Sequence, residues 1–388
     1  MADNMVTGPE ARSAWIAIAR NNARYDLADF GRQLYWNIRR KPASLGHITA
    51  MLARSVYMIS HIYFLRFVVI RRPICLIGCI GRLGDIVSAE PVARFARREL
   101  PDAAVVWCCK DEYVPIVRHF GAVDRVVQVK CVSEWVLIAN FLKLQNKINL
   151  EISGNHTCVL CWATLNKNYA SNNISLDNYY SQPNLLAAQC LSAGISPLSD
   201  SPILDSDQSA VAVVASLTLP ADFIVVHCVS SEARRDWPAG RWRELVRDLT
   251  EKRGLVVVEV GLKPVASLPD NPRSISLCGR LSVLETAEVI RRARLFIGVD
   301  SGPAHIAHAV GTRGVILLGA YRNFKRYTPY SGAYVDGRLA ELVRAEGPAA
   351  TLTVETVVAA VERGLLAAAS PAASVRASDN RPADPNDI

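Results

Sequence analysis

The sequence predicts an α/β protein of two halves, each built from short apolar strands that alternate with helices. At 388 residues the chain is too long for one ordinary domain, and a hydrophobic content of 50% is ample for two cores. A run rich in Pro, Ser and Asp at 196–207 predicts the boundary between the halves. The predicted strands are Ala104–Trp107, Val126–Val129, Val159–Trp162, Leu255–Val260 and Val315–Leu318; the predicted helices are Ile86–Leu100, Trp242–Lys252 and Leu284–Arg292.

The segment 296–311, FIGVDSGPAHIAHAVG, predicts an anion site at the start of a helix. An apolar strand at 295–299 is followed by residue types that begin helices, and His305 falls in the first turn. Exposed amide groups and the positive end of the helix dipole then face a ligand above the strand. The alternative is a structural turn with nothing bound. The helix-start residues are Asp300, Ser301, Gly302 and Pro303.

A second turn of this kind lies at 73–91, where an apolar strand runs into the glycine-rich stretch CIGRLGD and then a helix. Gly81 and Gly84 allow the backbone to approach a ligand closely. Asp85 falls at the carboxyl end of the strand, the edge where open parallel sheets bind ligands. Asp85 is therefore a candidate for chemistry, and the alternative is a helix cap. Two such turns in two halves favour a site between two domains.

A third segment supplies positive charge between these two. The strand Phe223–His227 is followed by a polar loop that enters a helix at Pro238. Ser230 and Ser231 can donate hydroxyl hydrogen bonds, and Arg234 and Arg235 bring cations to the carboxyl end of the strand, as a diphosphate leaving group would require. The alternative is a pair of solvated surface arginines.

In this order and spacing the three segments resemble glycosyltransferase family 9, whose best-known members are the ADP-heptose:lipopolysaccharide heptosyltransferases. The family's glycine–aspartate turn is similar to Gly84 and Asp85, and its strand–His–loop–Trp–Pro motif is similar to 227–238. Its Asp-Ser-Gly-Pro-x-His signature is similar to 300–305. The resemblance covers roughly residues 72 to 335 and implies a GT-B architecture, in which two Rossmann-like domains face each other across a cleft.

The resemblance also implies an inverting, metal-independent sugar transfer. Asp85 would be the general base and Arg235 the cation that neutralises the departing diphosphate. Ser230, Ser231 and the amides around Ser301 and Gly302 would hold the diphosphate oxygens. Leu281, in a segment similar to one that covers the nucleoside, would lie against the base. One departure concerns the stretch 260–264, VGLKP, which lacks the acidic residue that often helps the family to read the nucleoside.

Ten cysteines are scattered through the chain, several of them in predicted strands. No signal peptide with an apolar core and a cleavage site is visible, so we expect reduced, buried thiols and a cytoplasmic protein. Cys158 and Cys161 have C-x-x-C spacing, but without a second pair or a histidine cluster the spacing does not predict a zinc site. We expect neither a metal nor a cofactor.

Residues 1–70 form a basic helical extension outside the family motifs. From Arg12 to Arg72 the only acidic residues are Asp26 and Asp29. The stretch 48–70 is apolar but interrupted by Arg54, His61 and Arg66, which favours an amphipathic helix on an anionic membrane surface over a span. An ordinary helix packed on the first domain is the alternative. The net charge of +8 would suit an anionic membrane or a nucleic acid, but no nucleic-acid-binding motif is evident.

The remaining divisions are an acceptor domain at 71–205, a nucleotide-sugar domain at 206–350, a helix at 351–369 that crosses back to the first domain, and a disordered tail at 370–388. Together these features predict a glycosyltransferase at the cytoplasmic face of the inner membrane. It would move a heptose or a similar sugar from a nucleotide-diphosphate donor to a lipopolysaccharide-type glycan or glycolipid. The alternatives are another sugar nucleotide, a protein acceptor, or a GT-B protein that binds nucleotide without catalysis.

Overall fold

The structure, a computed structural model, describes residues 24–167, 174–320 and 327–369. The first half contains a four-stranded parallel sheet with the order β3-β2-β1-β4. This order leaves β1 in the middle, so the turn that follows it lies at the centre of the sheet edge. The strands are β1 (Ile74–Gly78), β2 (Ala104–Lys110), β3 (Arg125–Val129) and β4 (Asn146–Asn149).

The second half contains a six-stranded parallel sheet with the order β10-β9-β8-β5-β6-β7. Its central strands, β5 and β8, pair with each other and are fully buried. Both therefore end at the same point of the sheet edge. The strands are β5 (Ile224–His227), β6 (Val257–Glu259), β7 (Ser274–Ser276), β8 (Leu295–Val299), β9 (Gly314–Leu318) and β10 (Ala340–Arg344).

Helices cover both sheets. In the extension and the first half they are α1 (Leu27–Arg40), α2 (Ser44–Phe64), α3 (Leu83–Ser88), α4 (Glu90–Glu99), α5 (Val114–Val117), α6 (Val132–Phe141) and α7 (Leu185–Ser192). In the second half they are α8 (Gln208–Ser216), α9 (Ala239–Arg247), α10 (Val283–Arg292), α11 (Gly302–Ala309), α12 (Gly332–Val335) and α13 (Val354–Ala369).

Two predicted elements differ from the observed ones. The predicted helix Ile86–Leu100 is two helices, because the chain bends at Ala89 and α4 begins with Pro91 in its first turn. The predicted strand Val159–Trp162 is wrong: these residues form a tight turn in which Cys158 N donates to the carbonyl of Ala163 at 2.8 Å. An apolar run as short as this one does not distinguish a strand from a turn.

Helix α13 does not cross back to the first domain as expected. Its buried residues Val357, Ala360 and Val361 belong to the same core as the strands β5, β8 and β9. The helix therefore completes the second domain, because these side chains cover apolar strand residues that would otherwise face water. The predicted disordered tail at 370–388 lies outside the described residues.

The basic extension packs on the first domain along one face of α2. Ile48, Met51, Met58 and Ile62 recur at helical spacing, are buried, and share a core with Trp135 of α6. Arg54 of α2 also forms a 2.6 Å ion pair with the buried Glu134. By length and composition alone the helical stretch Ser44–Ile70 could cross a membrane. Residues 1–23 of the predicted extension lie outside the described part of the chain.

Candidate functional site

A cavity of about 700 Å³ opens between the two domains, at the carboxyl edges of both sheets. Each domain contributes the turn that follows a central strand, which is the place where open parallel sheets bind ligands. The first domain contributes Asp85 after β1. The second contributes Arg235 from the loop after β5 and Asp300 from the turn after β8. A carboxylate of one domain therefore faces cationic and amide groups of the other.

Two glycines allow the two domains to approach each other. A side chain at Gly84 would bring its Cβ within 2.7 Å of His305, which belongs to α11 of the other domain. A side chain at Gly302 would bring its Cβ within 2.9 Å of Leu83 in α3. The starts of α3 and α11 thus meet across the cleft, and each needs glycine at the point of contact.

On the first-domain side, the buried Glu151 organises the cleft. Its carboxylate accepts hydrogen bonds from the amides of Ile80 and Gly81, which fixes the turn after β1. It also contacts Nδ1 of His156 at 2.5 Å, and Nε2 of His156 lies 3.4 Å from Asp85. Glu151, His156 and Asp85 therefore form a chain of alternating charge that ends in the cavity.

The electrostatics of this chain keep Asp85 ionised. Burial favours the neutral ring of His156, but the charge of Glu151 and the contacts to both carboxylates outweigh it and raise the pKa of His156 to about 10. Burial also opposes ionisation of Asp85, yet the hydrogen bond and charge of His156, with the charge of Arg82, hold the pKa of Asp85 below its usual range. Near neutral pH the site holds an imidazolium beside a carboxylate.

On the second-domain side, Arg235 is held in place by two partners. Nη1 lies 2.6 Å from the carboxylate of Asp300, and Nη2 donates to the hydroxyl of Ser231 at 2.9 Å. Asp300 is itself within 3.4 Å of the Tyr330 hydroxyl. Among the residues that the structure describes, Nε of Arg235 is a buried donor without a hydrogen-bond partner. A buried cationic donor of this kind is costly unless an acceptor reaches it, which indicates an anion beside Arg235.

The start of α11 adds neutral donors to this cationic group. Ser301 occupies the N-cap position, but its hydroxyl contacts Nδ1 of His227 at 3.0 Å instead of the helix amides. Burial lowers the pKa of His227 to about 4 and also lowers the pKa of His305, so both rings are neutral near pH 7. Ser301 and Gly302 line the cavity. Positive charge on this side therefore comes from Arg235 and the helix dipole.

Tyrosines form another part of the cavity wall. The ring centroids of Tyr179 and Tyr180 lie 3.8 Å apart, and those of Tyr180 and Tyr327 lie 5.1 Å apart. Leu262 and Leu281 add apolar side chains to the cavity lining. The cavity thus combines a polar centre with two flat or apolar surfaces, as pockets for small organic ligands do.

Most of the residues singled out from the sequence meet at this cavity. Ser230 does not line it; its hydroxyl donates to the carbonyl of Glu232 and shapes the loop. Gly81 lies behind Asp85, directly beneath His156. The residues that line the cavity are Gly84, Asp85, Ser231, Arg235, Leu281, Asp300, Ser301, Gly302 and His305.

The sequence interpretation missed Glu151, His156 and the tyrosines. Glu151 follows β4, whose sequence Asn-Lys-Ile-Asn is too polar to read as a buried strand. Its polar side chains are buried because they are paired: Lys147 donates to the carbonyls of Ala139 and Leu142, and Asn149 accepts from the indole of Trp135. Recognition of β4 as a strand would have predicted that Glu151 lies near the ligand, because open parallel sheets bind ligands at the carboxyl ends of their strands.

Residues 186–342 match the sequence model of the family described as glycosyltransferase family 9 (heptosyltransferase). This stretch of the chain is therefore similar to a glycosyltransferase family 9 domain. Lipopolysaccharide heptosyltransferase 3 of Escherichia coli is 29% identical to this chain over 107 residues, which are 26% of this chain and 32% of that relative. The aligned stretch thus spans about a third of the curated relative.

Solved structures of the family share the fold. The family 9 glycosyltransferase of Veillonella parvula superimposes with a TM-score of 0.56, 16% identity, and coverage of 76% of this chain and 97% of that one. Escherichia coli ADP-heptose LPS heptosyltransferase II superimposes with a TM-score of 0.55, 16% identity, and coverage of 76% and 98%. The predicted GT-B architecture and the family resemblance are confirmed.

The raised pKa of His156 leads to a prediction about the stability of the protein. His156 keeps its proton up to about pH 10 in the folded protein, whereas in the unfolded chain it loses it near pH 6.5. The free energy of unfolding that this proton contributes is therefore full below about pH 6.5 and is lost as the pH rises to about 10. The loss of unfolding free energy caused by His156→Gln should therefore be largest at pH 6 and shrink steadily towards pH 10. Urea denaturation at each pH measures it. The surface substitution His47→Gln is the control, and a loss for His156→Gln that does not change with pH contradicts the assignment.

Proposed function

We propose that the protein is an inverting glycosyltransferase that moves a heptose, or a similar sugar, from a nucleotide-diphosphate donor to a glycan or glycolipid acceptor. The observation that carries the proposal is the cleft itself, in which ionised Asp85 faces Arg235 and the start of α11. One side can take a proton, and the other can hold an anion. The family 9 domain supports the choice of sugar transfer over other reactions with the same needs.

The acceptor step uses Asp85. Asp85 takes the proton of an acceptor hydroxyl as the oxygen attacks the anomeric carbon, so a carbon–oxygen bond forms while the bond to the donor phosphate breaks. A single displacement of this kind inverts the anomeric centre. His156 does not touch the reacting atoms; it holds the carboxylate in place and keeps it ionised through the 3.4 Å contact.

The leaving-group step uses the second domain. The departing diphosphate gains negative charge as the glycosidic bond breaks, and the free Nε of Arg235 with the amides around Ser301 and Gly302 stabilises it. Because these groups are fixed before the reaction, little reorganisation is needed. We propose that they replace a divalent metal in this role.

The nucleoside end of the donor lies against the apolar side of the cavity. Leu281 and the 90% exposed Leu262 line that side, where a purine ring would cover both. Glu259 is not free to read the nucleoside, since it accepts hydrogen bonds from the amides of Val265, Ala266 and Ser267. ADP-heptose is the first donor to test, because a curated relative and a solved structure with this fold are heptosyltransferases. A screen of sugar nucleotides distinguishes it from the alternatives.

Asp85→Asn tests the proposed chemistry. The substitution keeps the shape of the side chain but removes its basicity, so turnover should fall by roughly 10²- to 10⁴-fold while nucleotide affinity changes little. Transfer kinetics and calorimetric binding of ADP separate the two effects. Asp102→Asn, on the surface of the same domain, is the matched control. Near-normal turnover in Asp85→Asn returns this residue to a structural role.

Arg235→Ala tests the diphosphate site. Loss of a charge-assisted contact worth about 1.5–3 kcal/mol should weaken nucleotide binding about tenfold to a hundredfold and lower turnover as well. The neighbouring Arg234→Ala is the matched control, because Arg234 is exposed and outside the cavity lining. Activity assayed with EDTA should equal activity assayed with added Mg²⁺. Loss of activity with EDTA that Mg²⁺ restores would assign the diphosphate charge to a metal instead.

We further propose that the extension holds the protein on the cytoplasmic face of an anionic membrane, where a glycolipid acceptor is found. The face of α2 opposite α6 is apolar and open to solvent: Val56 is 66% exposed, and Phe67 in the following turn is 65% exposed. Exposed cations lie at both ends of this stretch, at Arg39, Arg40 and Lys41 before it and at Arg71 and Arg72 after it. An apolar strip between basic ends is typical of a helix that lies in the interface plane.

Liposome sedimentation tests this surface. Vesicles that contain phosphatidylglycerol should bind the protein, neutral phosphatidylcholine vesicles should not, and binding should weaken with salt because exposed charges are screened over about 10 Å at 0.1 M. The double variant Val56→Asp, Phe67→Asp should lose binding, while Val213→Asp, an exposed apolar position of the second domain, should keep it. Full-length protein that ignores anionic vesicles leaves the extension with a packing role only. Deletion of the extension is not a clean test, since it would uncover α6.

A further inference from the structure

Three cysteines form a cluster in the first domain, next to the loop that carries His156. Cys131 directly precedes α6, and Cys158 and Cys161 lie in the turn that follows His156. All three are buried, and their sulfur atoms lie within 4.8 Å of one another. The fold brings Cys131 to the C-x-x-C pair across 27 residues of sequence, so the spacing of the pair alone does not reveal the cluster.

The turn that carries the pair has the form expected of a metal-binding loop. The amide of Cys161 donates to the sulfur of Cys158 at 3.3 Å, and the amide of Trp162 donates to the carbonyl of Cys158 at 2.7 Å. Trp162 has a φ of 57°, which is unfavourable for a bulky side chain and persists only where the surroundings determine it. The turn points both sulfurs in one direction, towards Cys131.

The surroundings of the cluster suit thiolates. Cys131 occupies the N-cap position of the ten-residue helix α6, so the positive end of the helix dipole faces the sulfurs. The neighbouring carboxylate of Glu134 is neutralised by Arg54 at 2.6 Å.

The separation of Cys131 and Cys161 fits shared coordination of one ion. Two sulfurs of a tetrahedral Zn²⁺ site lie about 3.8 Å apart when each Zn–S bond is about 2.3 Å. Cys131 and Cys161 are 3.6 Å apart. Cys131 and Cys158 are 2.7 Å apart, longer than a disulfide bond of about 2.05 Å, so these two sulfurs would separate by about 1 Å to share an ion. A disulfide joins only two sulfurs, so it would not account for the third cysteine of the cluster.

We propose that Cys131, Cys158 and Cys161 bind one thiophilic divalent metal ion, with Zn²⁺ as the expected species. Each thiol releases its proton on binding, and three thiolates fill three of the four tetrahedral positions. The ion would join the start of α6 to the turn after His156. Asn37 of α1 donates to the carbonyls of Cys161 and Trp162, so the extension is tied to the same point. The metal is structural and separate from the proposed sugar transfer.

Metal analysis of the purified full-length chain tests the site. Plasma mass spectrometry should find about one zinc per chain in the wild type and in Cys190→Ser, a buried cysteine outside the cluster. It should find almost none in Cys131→Ser or Cys161→Ser. After prolonged dialysis against a chelator, Co²⁺ should restore one equivalent with thiolate charge-transfer absorption, and Zn²⁺ should displace it.

Two results overturn the proposal. If the protein is metal-free, fails to take up Co²⁺ and has all ten thiols titratable after denaturation without reductant, the cluster is one of ordinary thiols. If eight thiols titrate, two of the three cysteines form a disulfide. The Co²⁺ titration uses wild-type protein, so the test remains decisive even where a cysteine variant fails to fold.

Discussion

The carboxylate of Glu151 is the group on which the first-domain half of the cleft depends. It is buried, and it is compensated by two backbone amides and by the ring of His156. Those amides belong to the turn after β1, and the ring belongs to the loop after β4. One side chain therefore fixes two neighbouring loops relative to each other, and Asp85 lies between them. Removing one member would leave another buried and uncompensated, which is why such networks act as a unit.

The second domain positions its cation, Arg235, with fewer groups. Arg235 is oriented by Asp300 and Ser231, and the start of α11 is left open because Ser301 contacts His227 instead of capping the helix. The two halves differ in character: the first places a negative charge supported by an imidazolium, and the second presents donors. A reaction that moves a proton one way and negative charge the other way needs this polarity.

Much of this site could be predicted from the sequence, because strand–glycine–helix turns are local patterns. Asp85, Arg235 and the Asp300 turn were identified from three short segments, and all three line the cavity. The remainder depends on contacts that no local pattern encodes. Strand β4 has a polar sequence that is buried only through its partners. Helix α13 could be recognised as a helix, but the side on which it packs depends on which strands lack a cover.

The meeting of the two domains has a further consequence for exchange of ligands. Arg82 of the first domain and Glu232 of the second form a 3.6 Å ion pair across the cleft, and both side chains are partly exposed. A pair in contact with water contributes little net free energy, about 0–1 kcal/mol, and salt weakens it further. The ion pair therefore adds little to the contact between the domains, which depends mainly on the packing of α3 against α11. Separating Arg82 from Glu232 would leave the Glu151–His156–Asp85 network and the Arg235–Asp300 pair intact, because each of these lies within one domain.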